Sequence, residues 1–384
     1  MYRVCIGYVS GMYRECIETN KKNGGSICIF ESFVLSLQKI TVVFAQKMDW
    51  QTAIYRVGSY LRHCLTARHT GGHGIHSPYL FEWVRLVMRD EHSYYAWEKI
   101  EKVRERMLAD TREVEFVDYG AGIGNRKSEN GNRESGIGSP KTKNGNRESG
   151  IRKRESGVGS RESENGNREL GVGSPKTKIR NREARDRRKV SDIAKRSLAK
   201  KKYAQMLARL VNWLGDGRLA IGDGQLAIGD ERLVVLELGT SLGVTTAYMA
   251  AMDKRNKVIT YEGCPAVAEI AKENWKALGI KNIDCRVGEI NADILDRDLE
   301  RVDVAFIDAN HTYAGTRAYF NVLAEKVHAK SVIVVDDIHY NKEMEKAWHE
   351  ICEDERVTST MDLYQMGLVF FDKDYWKRDY RIRV

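Results

Sequence analysis

The sequence predicts an α/β fold, with a mostly parallel sheet in its C-terminal part and a helical cap before it. Three observations predict this. From Leu233 onward, apolar runs at 234–239, 258–263, 283–289, 302–308 and 332–338 alternate with amphipathic stretches such as 265–278 and 313–327. Strands and helices alternating at that spacing make βαβ units, and these make a parallel sheet. The last two runs, 357–364 and 368–371, are parted only by a short turn, so they form an antiparallel hairpin at the sheet edge. Ahead of Leu233 the apolar period is helical instead.

The cap is read element by element. Trp50, Ala53, Ile54, Val57, Tyr60, Leu61 and Cys64 fall at helical spacing. Ser77-Pro78 starts a second helix, because proline's missing N–H is unpaired there anyway. Phe81, Val84 and Met88 face inward on it. A third helix carries Trp97, Ile100, Val103 and Met107. These make residues 48–123 the cap proper, and residues 1–47 a poorly patterned N-terminal appendage. Residues 183–232 add another cap helix, with Tyr203, Met206, Leu207, Leu210, Val211 and Leu214 on one face. After it, GDGRLAI at 215–221 recurs as GDGQLAI at 222–228, which marks 215–231 as an expanded loop.

Residues 124–182 are a different material. They hold 11 of the chain's 33 glycines and no Phe, Trp, Tyr or Cys. NGNRESGIGSPKTK at 130–143 recurs as NGNRELGVGSPKTK at 165–178, with 12 of 14 positions identical. A structural repeat must bury an apolar face, and this one has none to bury. The sequence therefore predicts a low-complexity disordered insertion. It also explains the charge. The chain carries +9, but residues 124–189 alone carry +10, so the remainder is near neutral. That argues against nucleic acid as a partner of the folded body.

At 384 residues and 42% hydrophobic, the chain can bury a sizeable core. Its seven cysteines are scattered without CxxC spacing. This argues against a disulfide scaffold or zinc ribbon and suits a cytoplasmic setting. The apolar stretch 27–45 contains Glu31, Gln38 and Lys39, which a membrane span would avoid.

Two glycine loops compete for a cofactor. Asp118-Tyr-Gly-Ala-Gly-Ile-Gly124 runs into the repeats, with no helix behind it. Glu237-Leu-Gly-Thr-Ser-Leu-Gly243 follows a strand, opens a helix, and has Glu262 at the end of the next strand to hold ribose hydroxyls. The second loop fits, and the first reads as a turn into the insertion. A carboxylate at Glu237 would repel a dinucleotide's pyrophosphate. It suits a cofactor with a cationic amino-acid tail, which points to S-adenosylmethionine.

Glu237–Gly243, Tyr261-Glu262-Gly263, Val287-Gly288-Glu289 and the closing hairpin resemble a class I S-adenosylmethionine-dependent methyltransferase, over about 233–372. His73-Gly-Ile-His-Ser-Pro78, Asp118–Gly122 and 190–214 resemble the N-terminal portion of a bacterial subgroup with a helical cap. The resemblance implies a Rossmann-like seven-stranded sheet in a cofactor-binding domain at 233–384. It implies that Glu237, Gly239, Thr240, Ser241 and Gly243 contact the methionine part. Glu262 and Gly263 would lie at the ribose, and Gly288 and Glu289 near the adenine.

Phe306-Ile-Asp-Ala-Asn-His-Thr-Tyr313 and Val334-Val-Asp-Asp-Ile-His339 end the fourth and fifth strands, where open α/β sheets bind ligands. They are similar to the catechol O-methyltransferase-like branch, in which such carboxylates hold Mg²⁺. By that resemblance Asp308, Asp336 and Asp337 are the metal candidates, although the branch has Asn where this chain has Asp337. In the metal-free reading, Asp308 orients cofactor or substrate and the other two cap the following helix or take hydrogen bonds. His311 and His339 are candidate general bases, since imidazole titrates near neutrality. His69, His73 and His76 read as a turn or lid. The expected activity is O-methylation of a small-molecule acceptor, anchored at Asp308. The alternatives are an idle methyltransferase fold, or a nucleic-acid methyltransferase that uses the basic insertion.

Overall fold

The computed structural model describes residues 50–117, 186–215, 232–374 and 376–384. The appendage, the Asp118 loop, the insertion and the expanded loop lie outside the described residues.

Helix α1 (Trp50–Thr66) comes first. Helix α2 (Pro78–Trp83) starts as its residues dictate: Pro78 occupies the first turn, and Ser77 Oγ accepts the Leu80 amide at 3.3 Å. Helix α3 (Tyr95–Ala109) buries Trp97, Ile100, Val103 and Met107, the predicted stripe. Strands β1 (Glu113–Phe116) and β2 (Asp186–Lys189) then pair antiparallel, with Phe116 opposite Asp186. The predicted single helix after the insertion is two, α4 (Val190–Ser197) and α5 (Lys201–Gly215).

The main sheet follows. Its strands are β3 (Val234–Leu238), β4 (Lys257–Glu262), β5 (Ile283–Val287), β6 (Val304–Ile307), β7 (Val332–Asp336), β8 (Ser359–Asp362), β9 (Met366–Phe370) and β10 (Arg378–Arg381). Between them lie α6 (Val244–Ala250), α7 (Pro265–Leu278), α8 (Ala292–Asp298), α9 (Tyr313–Leu323) and α10 (Lys342–Glu353). The strand order is β10-β8-β9-β7-β6-β3-β4-β5, and β9 alone runs against its neighbours. The sheet is therefore eight-stranded rather than seven-stranded, and the β8–β9 hairpin is not its edge. The eighth strand hides in a charged tail, RDYRIRV. Tyr380 and Ile382 alternate inward and are 4% and 0% exposed, which seats β10 on β8.

Central strands covered on both faces read as unbroken apolar runs, and all of β6 and β9 is buried. One face packs on α2 and α5 through Leu80, Trp83, Leu207 and Leu210. The other packs on α8, α9 and α10 through Leu295, Phe320 and Trp348. The order turns at β3, which has β4 on one side and β6 on the other, so a crevice opens beyond their carboxyl ends. Among the described residues no helix is long and apolar enough to cross a membrane.

Candidate functional site

The glycine loop leaves β3 and crosses that crevice. Gly239 has φ +99°, and a Cβ there would lie 2.1 Å from the Asp308 carbonyl oxygen. Only glycine lets the loop pass so close to β6. The amides of Gly239 and Thr240 both donate to the Tyr261 carbonyl, at 3.0 and 3.1 Å. Gly243, at φ +72°, turns the chain into α6 beneath Trp275. Trp275 Nε1 donates to the Gly243 carbonyl at 2.7 Å, and Asn274 Nδ2 to the Leu242 carbonyl at 2.9 Å.

Glu262 ties this loop to β4. Its Oε2 accepts the Ser241 amide at 2.7 Å and its Oε1 the Cys264 amide at 2.9 Å. Burial pushes its pKa up. Gly263 and Gly288 are half-buried beside it, and Glu289 is exposed. The Gly288 amide, at φ +142°, donates to the Glu262 carbonyl at 2.9 Å.

Glu237 differs from expectation. It is 0% exposed and lies under the loop rather than facing the crevice. Its Oε2 accepts from Thr246 and Thr260, the latter at 2.7 Å, while its Oε1 has no partner among the described residues. Burial raises its pKa to about 7 against the pull of those two hydroxyls. It braces α6 and β4 from below. Thr240 also turns inward, onto Thr260 at 2.6 Å.

The opposite wall is built at the ends of β6 and β7. Burial, together with the neighbouring carboxylates, pushes the pKa values of Asp308 and Asp336 well up. His311 Nε2 faces Asp308 Oδ1 at 3.4 Å. Burial lowers the His311 pKa and keeps the ring neutral. Asp337, at φ +52°, takes a hydrogen bond from Gln365, and its charge acts on both Asp308 and Asp336.

Three expectations need correction here. Asp308, Asp336 and Asp337 do not converge as one metal-binding trio. Among the described residues, the His/Cys/Asp/Glu trio whose donor atoms lie within 4.8 Å of one another is His63, His339 and Asp362. The cap of α10 is Asn341, which accepts the Met344 amide, so neither Asp336 nor Asp337 serves as one. His339 is 7% exposed and points away from the crevice, onto Asp362 at 3.0 Å. His69 is docked on β10 through Arg381, which makes its stretch a packed turn.

Some neighbours had no signature in the sequence. Ser197 of α4 meets Ser241 at 2.6 Å, which puts the cap against the loop. Arg56 of α1 stacks over Tyr340 at 4.8 Å. Trp275 reads as a core residue from its helical spacing, and only its indole N–H shows the second role.

Residues 236–338 match the family model described as a methyltransferase domain. O-methyltransferase imqG of Aspergillus flavus is 31% identical over 111 residues, which is 27% of this chain and 44% of that protein. A protein-L-isoaspartate O-methyltransferase of Magnetococcus marinus is 44% identical over 55 residues, 14% of this chain and 23% of that one. The chain thus spans under half the length of the curated relatives it matches. Among solved structures, an O-methyltransferase from Bacillus cereus in complex with SAH is 19% identical. It covers 46% of this chain and 83% of that one, with a TM-score of 0.37.

Proposed function

We propose that this chain, whose residues 236–338 are a class I methyltransferase domain, moves the methyl group of S-adenosylmethionine to an oxygen of a small-molecule acceptor. The observation that carries the reading is Glu262. It stands at the end of β4 beside the switch point, with each oxygen already taking one backbone amide. Its remaining lone pairs suit a ribose diol, and the two amides fix its orientation.

When bound, the cofactor supplies an electrophilic methyl carbon. The chain's task is to hold the acceptor oxygen in line with it and to take the acceptor's proton. His311 is the base in this reading. Asp308 faces its Nε2, which leaves Nδ1 to receive the proton, and the lowered pKa keeps that nitrogen free at neutral pH. Asp308 positions the ring. The carboxylate geometry gives a three-aspartate magnesium site no support, so millimolar Mg²⁺ is expected to leave cofactor affinity unchanged.

The test is calorimetric titration with S-adenosylhomocysteine, with and without Mg²⁺. Binding is expected, and Glu262→Ala should weaken it by about 10- to 100-fold, the worth of hydrogen bonds to a charged acceptor. A folded sample that binds none overturns the reading.

A further inference from the structure

On the other side of the β7 loop lies a buried cluster that methyl transfer does not use. His63 of α1, His339 after β7 and Asp362 at the end of β8 are 3%, 7% and 5% exposed. His63 Nδ1 lies 3.2 Å from Asp362 Oδ1, and His339 Nε2 lies 3.0 Å from Asp362 Oδ2. One donor atom from each of the three residues falls within 4.8 Å of the others. Each histidine therefore aims one nitrogen at a different oxygen of the same carboxylate.

The far side of each ring decides what these nitrogens carry. His63 Nε2 sits 3.2 Å from the Ile382 carbonyl, which only accepts, so Nε2 must bear the hydrogen. A neutral His63 then presents a bare lone pair on Nδ1 to a carboxylate oxygen. That is repulsive unless a cation stands between them. His339 differs: its Nε2 is within hydrogen-bond distance of Asp362 Oδ2, at 3.0 Å, and its Nδ1 lies 3.7 Å from Glu345 Oε1. Neither Nδ1 has a hydrogen-bond partner among the described residues. Protons alone would require a second hydrogen on His63, whereas His339 needs only the one on Nε2 that faces Asp362. Arg381 adds a further cation there, its Nε 3.2 Å from Asp362 Oδ2. The other anion nearby, Glu345, is shared with Arg62 at 3.5 Å and with Tyr55.

We propose that His63, His339 and the carboxylate of Asp362 bind one divalent transition ion of the zinc class. Zinc takes imidazole nitrogen and carboxylate oxygen, and donors about 2.0–2.2 Å from a tetrahedral ion lie roughly 3.4 Å apart, near the 3.2 and 3.0 Å between each histidine nitrogen and its carboxylate oxygen. The distal nitrogen of His63 faces the Ile382 carbonyl at 3.2 Å, the outer contact that metal-bound histidines usually make. The ion would pin α1 to β8 and to the loop after β7. The site is structural and independent of the methyl-transfer reading.

The experiment uses the whole chain and reads metal rather than activity. One zinc per chain is expected by elemental analysis. Chelation should lower Tm, and added zinc should restore it. Cobalt substitution should give the visible bands of a four-coordinate ion. His63→Gln and His339→Gln should each lose the metal, whereas His311→Gln should keep it. A protein that holds no zinc and whose Tm ignores chelator overturns the proposal, and leaves His63 protonated against Asp362. Zinc lost in His311→Gln but kept in His63→Gln overturns it too, by placing the ion at the other wall. Should the glutamine variants fail to fold, the wild-type chelation and cobalt spectra decide.

Discussion

At the ends of β3 and β4, contacts such as Thr240–Thr260, Ser241–Glu262 and Thr260–Glu237 join residues 20 to 23 positions apart. At the ends of β7 and β8, Tyr55–Glu345, Tyr364–Arg56 and His63–Ile382 join residues 290 to 319 apart. The first wall is set by glycine turns and backbone amides within one stretch of chain. The second is assembled from side chains brought by opposite ends of the molecule. A contiguous wall can be read as a motif and tolerates little backbone change. A composite wall has no motif, and depends on whatever holds its distant parts together.

The largest expected effect follows from the contiguous wall. Gly239→Ala puts a methyl group into the Asp308 carbonyl. It should abolish S-adenosylhomocysteine binding and cost about 4 kcal/mol, or roughly 10 °C of Tm. Calorimetry and a thermal melt check it, and a variant of wild-type affinity would show that the loop has room. Next comes the base. His311→Ala should lower kcat by about 10²- to 10⁴-fold. Cofactor affinity should stay within a few-fold, since the ring lies after β6 against Asp308 rather than on the glycine loop or Glu262.

Glu237 sharpens the contrast within the first wall. Its folded pKa is about 7, above its ordinary value of 4.5. As pH rises through that window the unfolded chain ionises first and the folded chain keeps its proton. Stability therefore falls with rising pH, by up to about 3 kcal/mol, and levels off above pH 7. Urea melts from pH 5 to 8 should show this slope, and Glu237→Gln should remove it. The smallest effect is expected from deleting 124–182. Cofactor affinity should stay within twofold, and any RNA affinity lost with the segment would favour a nucleic-acid role.

The same contrast explains what could be read in advance. Alternating runs from Leu233 gave five parallel strands, the central ones because a strand buried on both faces is largely apolar, whereas β5, at the sheet edge, is only half-buried and carries Asp284 and Arg286. Gly239, Gly243 and Glu262 were legible because their spacing is set by one strand–turn–helix unit. The β10 strand was not, because only Tyr380 and Ile382 of its charged segment face inward. Glu237 was placed in the right unit, but its depth depends on Thr246 and Thr260 closing over it. His339 follows Asp336 and Asp337 closely in sequence, and nearness in sequence suggested one shared site. The turn after β7, with Asp337 at φ +52°, sends its ring to α1 and β8 instead.

The β1–β2 pairing has a consequence for how the chain can vary. Phe116 and Asp186 stand opposite each other, so their Cα atoms lie about 5 Å apart. Whatever is threaded between them starts and finishes at one doorway. Its entropic toll grows only with the logarithm of its length, about 0.6 kcal/mol per doubling. The doorway is therefore a natural splice point. A fluorescent domain, an affinity handle or a second enzyme with adjoining termini could be seated there without disturbing the sheet's register.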